Sequence, residues 1–138
     1  MTDPDLLAKR LAVIDTCVRD LRELARPDAI GSDVREERFV EHTLQLAIQA
    51  ALDAASYIVS DERLGEPRTN RELFSLLARA GRLDAQLAET LADMAGFRNV
   101  LVHGYDTVDV RIVRDVVEHR LGDLLQFAEV VRQRIGGA

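Results

Sequence analysis

The stretch of sequence that decides the fold is residues 39–59, which read FVEHTLQLAIQAALDAASYIV. Its apolar residues recur at spacings of three and four, the period of an α-helix that buries one face. The alanine pairs at 50–51 and 54–55 add small side chains to that face. Because small side chains let neighbouring helices approach closely, we expect this helix to lie at the centre of a helical bundle.

The residues before this stretch predict a first helix and the start of the second. Asp3 followed by Pro4 is typical of a helix N-terminus, and apolar residues at helical spacing come after it. Pro27 ends this first helix, because proline cannot continue one. Asp33 and Glu36 have the spacing of a capping box, which places the start of the second helix at this point.

The residues after the central stretch predict three more helices. Thr69 and Glu72 form a second capping box, which opens a short third helix that ends at Gly81. Apolar residues at helical spacing over 83–94 predict a fourth helix, and those over 113–135 predict one long final helix. No alternating strand pattern appears. The expected fold is therefore all-α.

Length and composition agree with one domain over residues 1–138, a bundle of four long helices plus one short helix. Apolar runs are short and interrupted by charges, so we expect no membrane span, and the N-terminus lacks the pattern of a signal peptide. Cys17 is the lone cysteine and stands on an apolar helix face. We expect it to be a buried thiol in a cytoplasmic protein.

The charge balance argues against a protein that coats nucleic acid without regard to sequence. The formal net charge is −6, and the seventeen Arg and one Lys are interleaved with Asp and Glu. Such a coat needs clustered basic residues, whereas a small cleft in which a few arginines meet one phosphate does not. Five arginines near the third helix could add phosphate contacts, although a solvated surface is their ordinary role. They are Arg63, Arg68, Arg71, Arg79 and Arg82.

Chemically capable residues meet at the end of the fourth predicted helix, where residues 97–105 read FRNVLVHGY. Gly104 is the natural residue to end that helix. Arg98 can hold a phosphate with paired donors, and His103 can give and take a proton near neutral pH. Tyr105 supplies a hydroxyl. Together these residues indicate phosphodiester chemistry without a metal ion or other cofactor.

The same residues carry a resemblance to a known family. Arg98 is followed directly by Asn99, then by His103 and Tyr105, and this arrangement resembles the motif of HEPN-domain proteins. The nine-residue form is similar to that of the HepT toxin branch. The resemblance implies an all-helical endoribonuclease toxin with its site at a homodimer interface. It also implies a minimal nucleotidyltransferase antitoxin as partner, and Tyr105 as the residue to which this partner attaches AMP.

Helix geometry restricts how Arg98 and His103 act together, because five residues turn an ideal helix by about 140° beyond one full turn. Either the helix frays at residues 102–104, or Arg98 and His103 face a cleft from two sides. A cleft between two copies would contain two of each residue. One His103 would take the proton of a ribose 2′-hydroxyl, the other would protonate the leaving oxygen, and Arg98 would stabilise the charge on phosphorus. Asn99 would orient a phosphate oxygen or hold His103. RNA is required, since DNA lacks the nucleophile.

Two other interpretations stay open. An arginine and a histidine near a helix C-terminus also stabilise the helix dipole, so the motif could serve the helix end alone. A non-catalytic helical module that binds a nucleotidyltransferase would use Arg98 and Tyr105 for recognition, and the acidic balance suits it. A metal site is not expected, because neither His42 nor His119 stands in a Glu-x-x-His pair.

Overall fold

The computed structural model describes residues 3–103 and 108–136, and the regular structure within these ranges is helical. The elements are α1 Pro4–Leu24, a 3₁₀ turn Pro27–Ala29, α2 Val34–Asp61, α3 Asn70–Arg79, α4 Ala85–His103, α5 Val110–His119 and α6 Leu121–Gly136. The prediction of an all-α fold is confirmed. None of the helices in the described ranges has the length and apolar character needed to cross a membrane.

Side-chain caps start the helices where the sequence predicts them. The carboxylates of Asp3 and Asp33 each accept a hydrogen bond from the backbone N–H two residues later, at 2.9 Å in both cases. The hydroxyl of Thr69 accepts from the N–H three residues later, at 3.4 Å. The capping box predicted at Asp33 is formed only in part. The Glu36 carboxylate accepts from the Arg26 N–H at 2.7 Å instead of from the backbone N–H of Asp33. This bond ties the start of α2 to the end of α1.

The central position of α2 is confirmed, since it contacts each of the other five α-helices described. The four alanines of the pairs at 50–51 and 54–55 are all buried. Their small side chains allow this close approach on several sides. In the same core, the rings of Phe74 in α3 and Phe127 in α6 meet edge to face, with centroids 5.8 Å apart.

The prediction of one long final helix is wrong, because the chain bends at Arg120 and two helices, α5 and α6, take its place. The Arg120 N–H donates to the Val116 carbonyl at 2.9 Å, and its own carbonyl accepts from the Asp123 N–H at 3.1 Å in a tighter turn. Val117 and Leu121 keep a four-residue spacing across the bend, and both are buried. The apolar pattern therefore conceals the bend, and the described bundle has four long helices and two short ones.

The bend allows α5 to pack on the connection between α1 and α2. Arg114 of α5 donates from Nε to the Pro27 carbonyl at 3.0 Å and from Nη2 to the Ile30 carbonyl at 2.6 Å. Ile30 is itself buried. These two bonds hold α5 in place, and α5 shares a groove with residues 90–97 of α4.

Cys17 is buried, as the sequence predicts. Burial, assisted by the nearby Asp20 carboxylate, raises the pKa of the thiol above its ordinary value. The thiol therefore stays protonated near neutral pH and serves as a small apolar side chain in the core.

Candidate functional site

The motif residues occupy the last turns of α4, which is α-helical up to and including His103. Fraying at Val102 is therefore excluded, while Gly104 lies outside the described residues. Along a regular helix, Arg98 and His103 are about 7.5 Å apart in rise and about 140° apart in direction. The structure thus does not bring these two residues together on one face of α4.

Arg98 is half-buried and is oriented by its neighbour Asn99. Its Nη1 donates to Asn99 Oδ1 at 3.4 Å. Its Nε is buried and has no hydrogen-bond partner among the described residues. The terminal nitrogens of the guanidinium are the donors suited to a charged oxygen, such as that of a phosphate. Asn99 therefore supports Arg98, a role that the spacing of the motif did not predict.

His103 is exposed and shares a helix face with Asn99. Ala92, Gly96, Asn99 and His103 follow one another at spacings of four, three and four, which keeps them on one side of α4. We call these four residues the histidine stripe. The Arg98 guanidinium reaches Asn99, so the cation lies at the edge of this stripe. An exposed imidazole and a cation are the groups that phosphodiester cleavage needs, although on this one helix they leave in different directions.

The last residues of the motif, Gly104 and Tyr105, lie outside the described residues. The helix end at Gly104 and the position of Tyr105 therefore stay predictions. The described chain resumes at Val108, and Asp109 caps α5 by accepting from the Arg111 N–H at 2.9 Å. Hydrogen bonds from the Arg111 side chain and backbone hold the pKa of the Asp109 carboxyl below its ordinary value. This cap fixes where α5 begins after the motif.

A groove of about 250 Å³ lies between α4 and α5 beside the motif. Its lining combines apolar side chains with two carboxylates and one guanidinium: Thr90, Asp93, Met94, Phe97, Ile112, Asp115, Val116 and Arg120. Ile112 is 49% exposed, and Val100, one turn beyond Phe97, is 42% exposed. Two exposed apolar side chains next to a groove suit contact with another polypeptide. Sequence reasoning missed this groove because it treated α5 and α6 as one helix.

The five arginines near α3 fall into two groups. Arg71 pairs with Asp93, with 3.0 Å between Nη2 and Oδ1, and Arg82 pairs with Glu62, with 2.8 Å between Nε and Oε1. For the other three, which are exposed like the first two, no ion pair is described: Arg63, Arg68 and Arg79. Arg71 also donates from Nη1 to the Ala92 carbonyl at 3.0 Å, so it is attached to the motif helix itself.

No group of three or more His, Cys, Asp or Glu side chains within residues 3–103 and 108–136 is placed to hold a metal ion. His42 is exposed on α2, and His119 Nε2 lies 3.7 Å from the Glu118 carboxylate. Asp115, four residues before His119, is instead 3.8 Å from Arg120 Nε. Independence from metal ions stays a prediction, for which an assay is given below.

Comparison with known proteins agrees with the resemblance of the motif. A family model described as ribonuclease HepT-like matches residues 14–131. The chain is 30% identical over 132 residues to the mRNA nuclease HepT of Shewanella oneidensis, covering 93% of this chain and 97% of that protein. It is 33% identical over 109 residues to the tRNA nuclease HepT of Aphanizomenon flos-aquae, covering 78% and 74% respectively.

A solved structure supports the same assignment. The tri-AMPylated HEPN toxin of Shewanella oneidensis, in complex with its MNT antitoxin, superposes with a TM-score of 0.87 at 30% identity. The match covers 94% of this chain and 98% of that one. The resemblance first seen in nine residues thus extends over the fold, and the chain belongs to the ribonuclease HepT-like family of HEPN proteins.

Proposed function

We propose that this protein is a metal-independent endoribonuclease toxin that acts as a homodimer and is neutralised by a nucleotidyltransferase antitoxin. One observation carries the proposal: in a member of a ribonuclease family, α4 presents Arg98, oriented by Asn99, together with an exposed His103. The names of the relatives supply the substrate class, since one is an mRNA nuclease and another a tRNA nuclease. Each copy is one helical domain without a cofactor, in the cytoplasm, where the free thiol of Cys17 stays reduced.

The proposed reaction is attack by a ribose 2′-oxygen on the adjacent phosphorus. His103 of one copy takes the 2′-hydroxyl proton as the new oxygen–phosphorus bond forms. The bond to the 5′-oxygen breaks, and that oxygen takes a proton from His103 of the second copy. The products are a 2′,3′-cyclic phosphate and a 5′-hydroxyl. Arg98 donates to the phosphate oxygens and stabilises the charge that builds up on them. DNA is not a substrate, because it lacks the 2′-hydroxyl.

Two copies of the chain can bring Arg98 and His103 to one cleft, which a single helix cannot do. Arg98 and His103 leave α4 in directions about 140° apart. A two-fold axis beside the end of α4 would let each copy present its histidine stripe to a shared cleft. Val100 on α4 and Ile112 in the groove next to Phe97 are exposed apolar side chains that the contact would cover. Their burial is a favourable term for the association.

The antitoxin would act through Tyr105, which follows His103 by two positions. The support is the solved HEPN toxin that is tri-AMPylated and in complex with an MNT antitoxin, at 30% identity to this chain. AMP attached to the Tyr105 hydroxyl would add a phosphate charge and a base close to the catalytic residues. Bulk would then block the cleft, and the added charge would repel the RNA backbone.

The chemistry of the cut ends tests the reaction. Purified protein is incubated in EDTA with an RNA oligonucleotide and with the same oligonucleotide carrying one 2′-deoxy sugar at the cleaved position. We expect 2′,3′-cyclic phosphate and 5′-hydroxyl ends from the RNA, and no cleavage at the deoxy position. Products with 5′-phosphate ends, or inhibition by EDTA that added Mg²⁺ reverses, would contradict the mechanism.

A non-catalytic module that binds the nucleotidyltransferase is the second candidate. It is favoured by the formal net charge of −6, which suits a partner protein with basic side chains better than an RNA backbone. The same assay separates the two candidates, because the module predicts binding of the antitoxin and no cleavage of RNA by the purified protein at any concentration.

A further inference from the structure

We propose that Arg71 binds a phosphate of the RNA that neighbours the cleaved phosphate, and so holds the substrate along the histidine stripe. The inference rests on the proposed ribonuclease function and deepens it. Arg71 belongs to the first turn of α3, outside the motif. The site it would form is therefore built from two helices.

The guanidinium of Arg71 is fixed to the motif helix. Nη1 donates to the Ala92 carbonyl at 3.0 Å, and Nη2 donates to Asp93 Oδ1 at 3.0 Å. Both acceptors belong to α4. Two bonds from one planar group to one helix leave it little freedom to turn, so its position relative to His103 is set by α4.

Gly96 provides the space for this guanidinium. A Cβ added at Gly96 would lie 2.8 Å from Arg71 Nη1, which is closer than such atoms approach in proteins. Glycine inside a helix is less favourable than alanine by roughly 1 kcal/mol. The glycine of the histidine stripe thus has a structural consequence, since it allows a cation to lie directly on that stripe.

The position of Arg71 suits a substrate that extends from His103. Gly96 and His103 are seven residues apart, which is about 10 Å along the axis and within about 20° of the same direction. An RNA strand bound at His103 and continuing along the stripe would meet Arg71, with Asn99 between them.

Arg71 has N–H groups that its contacts with α4 do not use. A guanidinium has five N–H groups, and its two contacts with α4 engage two of its nitrogens. The side chain is 52% exposed, so solvent and an RNA strand can reach it. Because Asp93 offsets the charge, the contact would orient the RNA by hydrogen bonds rather than attract it from a distance.

The experiment measures whether Arg71 and a neighbouring phosphate act on each other. Two modified RNA oligonucleotides carry one neutral methylphosphonate each, on the 5′ or the 3′ side of the cleaved phosphate. For the wild type, we expect one of the two to lower kcat/KM by about tenfold, the effect of one charge-assisted hydrogen bond. With unmodified RNA, Arg71→Gln should have a kcat/KM about as low as that of the wild type on the methylphosphonate RNA. The methylphosphonate should lower the kcat/KM of Arg71→Gln no further.

Two more variants separate substrate binding from a structural role. Gly96→Ala should displace the guanidinium and reproduce the result of Arg71→Gln. Its Tm should not be below that of Arg71→Gln, because both variants lose the contacts of the guanidinium with α4 and alanine favours the helix. Arg19→Gln is the matched control. Arg19 is an exposed arginine on α1 that also faces an aspartate, with 3.9 Å between its Nε and Asp20 Oδ1. The Arg19→Gln variant should still lose about tenfold in kcat/KM with the methylphosphonate RNA, as the wild type does.

The outcomes are distinct. If the methylphosphonate effect persists in Arg71→Gln, or is absent already in the wild type on both sides, the inference is wrong, whatever the variant does to overall activity. If the wild type cleaves no RNA, the proposed function itself fails and the inference fails with it.

Discussion

Replacing Arg114 with methionine should destabilise the protein and release α5 before the rest of the bundle. Arg114 donates to the Pro27 and Ile30 carbonyls at 3.0 and 2.6 Å from a partly buried position. Hydrogen bonds from a charged donor contribute roughly 1.5–3 kcal/mol each, which gives at most about 6 kcal/mol for two. Methionine keeps part of the side-chain packing, and both hydrogen bonds are only partly buried, so we expect about 3 kcal/mol.

This free energy converts into a shift of the melting temperature. The entropy of unfolding near the Tm is about 2.1 cal/mol/K per residue, or roughly 290 cal/mol/K for a chain of 138 residues. A loss of about 3 kcal/mol therefore lowers the Tm by about 10 °C. Hydrogen exchange should also quicken in α5, which these bonds hold in place, while α2 stays protected in the core.

The assay is thermal unfolding followed by circular dichroism, with Arg111→Met as the matched control on the same helix. The Arg111 side chain is 85% exposed and pairs with Asp109. Replacing Arg111 with methionine should leave the Tm within experimental error of the wild-type value. A drop of less than about 3 °C for Arg114→Met, or equal drops for both variants, would refute the reasoning.

The other predictions concern the interface, the partner and the core. Val100→Glu places a charge on the proposed interface, so sedimentation should show a monomer and RNA cleavage should fall at least about tenfold; a stable, active dimer would contradict the proposed contact. Tyr105→Phe, co-expressed with the antitoxin, should lack the AMP-sized additions seen by intact mass on the wild type and should stay toxic; equal additions on both would place the modification elsewhere. The thiol of Cys17, buried and with a raised pKa, should react slowly with thiol reagents at pH 8 until denaturant is added. Equally fast reaction in the folded protein would show that the thiol is accessible.

Much of the fold could be predicted because local rules and burial point the same way. Asp3, Asp33 and Thr69 are caps in the sequence and caps in the structure. The alanine pairs of α2 are read correctly as a buried face because periodicity and small size both indicate a crowded core. Gly81 has a φ of 74° just after α3, the backbone conformation that makes glycine a helix stop.

The bend at Arg120 could not be predicted from periodicity. Val117 and Leu121 both face the core, and a four-residue spacing is the same in one helix or in two. The bonds of Arg114 to Pro27 and Ile30 hold α5 against a distant segment, and contacts between residues more than 80 positions apart cannot be seen in the periodicity. The available local signal was Gly122, a glycine inside the predicted helix at the start of α6.

The candidate site, like the fold, has a part that the sequence predicts and a part that depends on how the chain folds. Arg98 and His103 are predicted site residues from their types and spacing; the structure places both on α4, and their catalytic role stays a prediction. The contact of Arg71 with α4 depends on how α3 folds back on the motif helix, so spacing along the chain could not reveal it. Gly96 was the available signal, since a glycine inside a long helix often marks a close approach of another group.

The most direct test of the central claim compares RNA cleavage by the wild type with cleavage by His103→Ala, using His42→Ala as a control for an exposed histidine elsewhere. General acid and base catalysis contributes roughly 10²–10⁴-fold, and the proposed site loses both roles with this residue. We predict that kcat/KM falls by at least about 10³-fold while circular dichroism and Tm match the wild type, and that His42→Ala stays fully active. Cleavage by His103→Ala within about tenfold of the wild type, with the same cut ends, would contradict the account.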